Sequence, residues 1–139
     1  MSTFYKVETD KIIESENKMQ LCFPSELRNF YLTKGYGFLD SSKDNFNRIM
    51  DPETVAKFRL HEGEYEYMES ADIYDSMTDN KLVFFEVSEG FYLSIELTTK
   101  FKQRIFAFDQ VVAESLEEFI EKFSENEDIV LIGFEAGDN

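Results

Sequence analysis

The first part of the chain repeats apolar positions at helical spacing. Between about residues 7 and 19, helix-forming residues surround a few apolar positions, which predicts a first helix. Leu27, Phe30 and Tyr31 follow at i, i+3 and i+4, so they form one apolar stripe and predict a second helix. Gly35 predicts the end of that helix and a tight turn, because glycine adopts positive φ without strain.

Two further helices are indicated by the residues at their N-termini. Asp51 can accept hydrogen bonds from the first N–H groups of a short helix that starts at Pro52. Ser115 and Glu118 have the spacing of a capping box, and apolar residues follow them at helical spacing. The sequence therefore predicts helices near the middle and near the end of the chain.

The second half alternates instead at strand spacing. Residues 81–87 are β-branched and aromatic, residues 88–90 are typical of a turn, and residues 91–97 alternate. This pattern predicts a half-buried antiparallel hairpin, with a third strand within 104–112 and an edge strand within 129–134. One face of the second strand is predicted to hold Leu93, Ile95 and Leu97, and the other Tyr92, Ser94 and Glu96.

Length and composition fit a single compact unit. The 139 residues include 42% hydrophobic and 16% aromatic residues, enough to build a core without disulfides. Together with the element order, they predict one α+β domain over residues 1–139. Its antiparallel sheet would be a meander with the helices packed on one side.

The net charge narrows the classes of partner. The chain has 29 acidic and 14 basic residues and a formal charge of −15, so it repels nucleic-acid backbones and anionic membrane surfaces. The same charge attracts basic proteins. No signal peptide or membrane-spanning stretch is evident, and we expect a cytoplasmic protein.

The sequence offers little for catalysis or metal binding. His61 is the only histidine, and Cys22 is the only cysteine, which excludes an internal disulfide and a cysteine-based zinc site. Cys22 lies between two apolar residues and is predicted to be buried. We therefore expect no catalytic residues, no metal and no cofactor. A small enzyme that uses clustered carboxylates is the least favoured alternative, because it needs two acids with separated pKa values.

An acidic segment is the most informative local feature. Seven acids lie between Glu62 and Asp79 with no lysine or arginine among them, and tyrosines are interleaved. The segment is either a solvated loop or edge strand, or a surface whose carboxylates meet basic residues while its rings act as anchors. In the second case the partner-binding residues are Glu62, Glu64, Tyr65, Glu66, Tyr67, Glu69, Asp72, Tyr74 and Asp75. A second acidic surface is predicted on the last helix, at Glu114, Glu117, Glu118, Glu121 and Glu125.

Four segments of the sequence occur in the order that is typical of a known family. They are residues 21–37, 49–55, 83–95 and 113–120, which read LCFPSELRNFYLTKGYG, IMDPETV, VFFEVSEGFYLSI and AESLEEFI. Their order and spacing resemble the SUKH superfamily, the Smi/Knr-like proteins, over about residues 7–123.

The resemblance implies a function as well as a fold. Many bacterial members of the superfamily are immunity proteins, which bind and neutralise a cognate polymorphic toxin, often a nuclease or deaminase. Such toxins tend to be basic, so an acidic inhibitor would fit them. Eukaryotic members look instead like intracellular regulatory scaffolds, and this alternative remains open, as does the oligomeric state.

Overall fold

The computed structural model describes residues 2–40, 45–66, 80–88, 90–97, 103–108 and 110–131. Within these ranges the chain forms four α-helices and seven strands. The helices are α1 (Thr9–Met19), α2 (Ser25–Thr33), α3 (Pro52–Leu60) and α4 (Leu116–Glu125). The strands are β1 (Thr3–Tyr5), β2 (Tyr36–Phe38), β3 (Arg48–Ile49), β4 (Lys81–Ser88), β5 (Phe91–Glu96), β6 (Ile105–Ala107) and β7 (Gln110–Ala113). No helix in these ranges is long and apolar enough to cross a membrane.

All seven strands pair in one antiparallel sheet in sequence order, β1 to β7. The longest pairing is the β4–β5 hairpin, in which Phe85 lies opposite Leu93 and Glu86 opposite Tyr92. This order is the meander that the sequence predicted, extended on the β4 side by β1, β2 and β3. The predicted α+β class is therefore confirmed.

The helices were predicted on one side of the sheet, but its two faces contact different helices. Phe85 shares a face with Leu93, and its ring contacts Phe119 of α4 at 5.2 Å between ring centroids. We call this the core face; Phe4 of β1 also lies on it and contacts Phe30 of α2 at 5.6 Å. The opposite face, called the second face here, receives α3. There the ring of Phe58 lies 4.7 Å from that of Tyr92.

Several strand predictions need correction. The β4–β5 hairpin is buried on both faces at its centre, because Tyr92 and Ser94, predicted on the polar face, are only 3% and 4% exposed. The third strand within 104–112 is in fact two, β6 and β7, which are joined by a turn with Phe108 at φ 57°. Of the edge strand predicted within 129–134, residues 129–131 belong instead to the 3-10 helix Glu127–Leu131, and residues 132–134 lie outside the described residues.

The sequence prediction missed the first three strands and with them the role of two glycines. Gly35 has φ +100° and ends α2 as predicted, whereas Gly37 has φ +146° and lies within β2. A Cβ on Gly35 would lie 1.9 Å from the carbonyl oxygen of Tyr5, and one on Gly37 would lie 2.1 Å from that of Thr3. The two glycines therefore allow β1 to approach β2.

The N-terminus of α4 is capped from two directions. The Ser115 hydroxyl accepts a hydrogen bond from Glu118 N at 3.1 Å, as the capping box predicts, but the Glu118 carboxylate accepts from Glu114 N at 2.8 Å. In addition, the Glu26 carboxylate of α2 accepts from Leu116 N at 3.0 Å and Glu117 N at 3.2 Å. A carboxylate at this end also suits the helix dipole, so Glu26 joins α2 to α4.

We expect Gly37→Ala to destabilise the protein strongly. The added methyl would overlap a backbone carbonyl in β1, and alanine at positive φ costs about 1–2 kcal/mol by itself. Gly90→Ala is the matched control, because Gly90 has φ +84° but no atom within 4 Å of an added Cβ. In urea unfolding, Gly37→Ala should lose at least about 2 kcal/mol more than Gly90→Ala. Equal losses would contradict the close approach of β1.

Candidate partner-binding surface

The described start of the predicted binding segment is a short turn after α3. The helix ends at Leu60, the next residue, His61, adopts the left-handed conformation, and Gly63–Tyr65 forms one 3-10 turn. We call residues 62–66 the acidic turn. Its three carboxylates, on Glu62, Glu64 and Glu66, are exposed. Glu62 forms an ion pair with Lys18 of α1 at 3.6 Å, which ties the turn to that helix.

Tyr65 faces the interior of the molecule, unlike the three acids around it. Its side chain is only 4% exposed, and its ring packs against Phe58 at 5.0 Å between centroids. Phe58 in turn contacts Tyr92. A ring that is buried in this way offers a partner little surface. Tyr65 therefore anchors the acidic turn to the second face of the sheet.

An ion pair lies beneath the acidic turn. Arg48 of β3 and Glu86 of β4 are opposite each other in the register, and Arg48 Nη2 lies 3.0 Å from Glu86 Oε1. The Tyr92 hydroxyl donates to Glu86 Oε2 at 3.5 Å. Both charged side chains are largely covered, so their attraction is screened less than that of a surface pair. The pair fixes the polar part of the second face next to Tyr65.

Burial, with a smaller contribution from the acidic turn, raises the pKa values of two groups in this cluster. Burial raises the pKa of Glu86, with a further increase from Glu64, while Arg48 opposes the shift. Burial also raises the pKa of Tyr65 to about 12, and the nearby charges of Glu64 and Glu86 add to it. Glu64 therefore lies close enough to the second face to influence the ionisation of Glu86 and Tyr65.

The structure brings together only part of the predicted site. Glu62, Glu64 and Glu66 lie together on the exposed side of the turn, with Tyr65 beneath them. The remaining predicted contacts, Tyr67, Glu69, Asp72, Tyr74 and Asp75, lie outside the described residues. The involvement of all nine residues in partner binding stays a prediction.

The second acidic surface lies along α4, as predicted. Glu114, Glu117, Glu121 and Glu125 are exposed, whereas Glu118 is partly buried and pairs with Lys122 at 2.9 Å. Beside it, a groove of about 380 Å³ separates α4 from α2 and β1. Its lining includes apolar residues from all three elements and the capping carboxylate of Glu26.

The solvent exposure of one candidate reactive group differs from the prediction. Cys22 is exposed, which corrects its predicted burial. It lies between α1 and α2, where the next residue, Phe23, takes the buried position and contacts Tyr31. Across the part of the chain that the structure describes, no three histidine, cysteine, aspartate or glutamate side chains are grouped so that they could hold a metal ion.

Comparison with known proteins agrees with this architecture. The model of the SMI1/KNR4 family (SUKH-1) matches residues 6–122, and the chain therefore belongs to that family. A protein of Bacillus subtilis strain 168 named "Immunity protein YxxD" is 44% identical over 128 residues, which are 92% of this chain and 87% of that protein. No solved structure matches the chain significantly.

We expect Tyr65 to ionise near pH 12, about two units above an exposed tyrosine. Because its folded pKa is raised, its contribution to stability is complete below about pH 10 and is lost as the pH rises to 12. The ultraviolet titration curve of the Tyr65→Phe variant is subtracted from that of the wild type. Tyrosines present in both proteins, including buried Tyr31, cancel, and the difference reports Tyr65 alone. A difference transition near pH 10 would contradict the buried position of Tyr65.

Proposed function

We propose that this protein is an immunity protein, which binds and neutralises a cognate toxin. The supporting observation is the 44% identity to a protein named as an immunity protein, over nearly the whole length of both chains. Membership of the SMI1/KNR4 family is consistent with this proposal. The protein would act in the cytoplasm by stoichiometric binding, with no catalytic step of its own.

The charge distribution supports a basic toxin as the partner. A net charge of −15 draws a basic protein toward this chain over distances of about a Debye length. The three exposed carboxylates of the acidic turn are held on a turn that Tyr65 fixes to the sheet, so they require little ordering on binding. A toxin that acts on nucleic acid carries basic groups for phosphates, and the turn's carboxylates would occupy those groups.

We expect co-expression to rescue cells from one toxin. The candidate is the variable C-terminal domain of a large secreted protein encoded beside this chain's gene, expressed in a host that it otherwise kills. Co-expression of this chain should restore growth, and the two purified proteins should form a stable complex. Absence of both rescue and complex would refute the proposed function. A neighbouring gene of another kind would favour the regulatory-scaffold alternative.

We expect Glu64→Lys/Glu66→Lys to slow association with that toxin at least tenfold at low salt and to flatten its salt dependence, because the variant weakens electrostatic steering. Glu121→Lys/Glu125→Lys on α4 is the matched control, since it makes the same change in net charge at exposed positions elsewhere. Stopped-flow association measured over a range of salt concentrations compares the two variants. If the α4 variant has the larger effect, the acidic turn is the wrong surface.

A further inference from the structure

The second face of the sheet exposes large aromatic side chains at its β1–β2 end. Tyr5 is 48% exposed and Phe38 is 39% exposed. Tyr36, which is partly buried against the core, pairs with Tyr5 in the register, and their rings lie 5.5 Å apart at an angle of 35°. We call Tyr5, Tyr36 and Phe38 the aromatic strip. A sheet face that is exposed to water normally carries polar residues. The two exposed rings, Tyr5 and Phe38, therefore indicate a surface that a partner covers.

Strand alternation assigns all three rings to the second face. Phe4 lies between Thr3 and Tyr5 and contacts α2, so its neighbours in β1 point the other way. Gly37 alternates with Tyr36 and Phe38 and pairs with Phe4 and Ile49 of the core face. The aromatic strip therefore occupies the face opposite the α2 and α4 contacts.

The register also places the aromatic strip beside the acidic turn. Phe38 lies opposite Arg48, and Arg48 lies opposite Glu86. Strands are about 4.8 Å apart, so Phe38 is about 10 Å from Glu86 across the sheet. Glu86 is the residue whose pKa Glu64 of the acidic turn raises. An apolar strip and a group of carboxylates thus adjoin on one face, with the Arg48–Glu86 ion pair between them.

We propose that the aromatic strip and the acidic turn form one continuous docking surface for the toxin, a basic protein that inserts apolar side chains over the strip. This inference rests on the proposed function and extends the interface beyond the acidic segment. Charge complementarity selects the occupant. A second copy of this chain would bring another −15 charge and another set of carboxylates against the first, whereas a basic protein neutralises them.

The two parts of the surface contribute different terms to binding. The carboxylates act at a distance and raise the association rate. The aromatic rings act only in contact, where burying them removes apolar area from water and slows dissociation. Tyrosine is enriched among residues that dominate interface energies because it buries a large area with few rotatable bonds.

Tyr5→Thr/Phe38→Thr tests this surface while keeping strand-forming residues in β1 and β2. The probe is the purified toxin domain encoded by the neighbouring gene, with catalytic activity removed. We expect the dissociation constant to rise at least thirtyfold, mainly through faster dissociation, while the salt dependence of association stays as in the wild type. Leu32→Gln is the matched control, since Leu32 is 47% exposed on α2, a helix that packs against the opposite face of the sheet; it should bind like the wild type. Urea unfolding confirms that each variant is folded.

Each outcome distinguishes the inference from the proposed function. If the wild type binds no toxin domain, both fail. If the wild type binds and the strip variant binds within twofold of it, the docking surface is wrong and the immunity function stands. If sedimentation shows a wild-type dimer that the strip substitutions convert to a monomer, the strip is a contact between copies and the inference is overturned.

Discussion

Phe85 is the point at which the two halves of the chain meet. Its backbone lies between Ile49 of β3 and Leu93 of β5, and its fully buried ring packs edge-on against Phe119 of α4. The ring also lies 6.4 Å from Phe123. Such edge-to-face pairs contribute about 0.5–1.5 kcal/mol beyond their buried area. The β1–β2 end of the opposite face can therefore stay exposed as a surface, because packing on the core face already holds the two layers together.

Sequence reasoning found the elements whose signal lies in a few adjacent residues. Asp51 and Ser115 cap the helices they were predicted to cap, since a cap is a contact within three or four residues. The short strands β1, β2 and β3 were missed, because two or three residues cannot establish a period. Their existence depends on contacts with distant segments, such as the approach of β1 to Gly37.

The same limit applies to the candidate site. The excess of acids after residue 61 is visible in the composition, but the inward direction of Tyr65 depends on its contact with Phe58. The aromatic strip could not be predicted from the sequence for a similar reason. Tyr5, Tyr36 and Phe38 are separated in the sequence, and only strand pairing brings them onto one face.

Ion pairs within the protein occupy many of its basic side chains. Many of the basic residues already pair with carboxylates, among them Lys11, Lys18, Arg28, Arg48, Arg104 and Lys122. Arg104 lowers the pKa of Glu96 through paired hydrogen bonds, and the Arg104 guanidinium also lies 5.2 Å from the ring of Phe106. Exposed carboxylates nevertheless lie close together at the acidic turn and along α4, where like charges repel one another.

The link from Glu26 to α4 affects the order in which the protein can complete its fold. Residue 26 leaves the ribosome long before residues 116 and 117, whose N–H groups donate hydrogen bonds to its carboxylate. The capping carboxylate on α2 is therefore synthesised before α4. The helix gains this cap only when α2 and α4 have come together. A contact between residues so far apart in the sequence slows folding, because a long loop must close before it forms. It also makes folding more cooperative, because the cap on α4 forms only when α2 is in place.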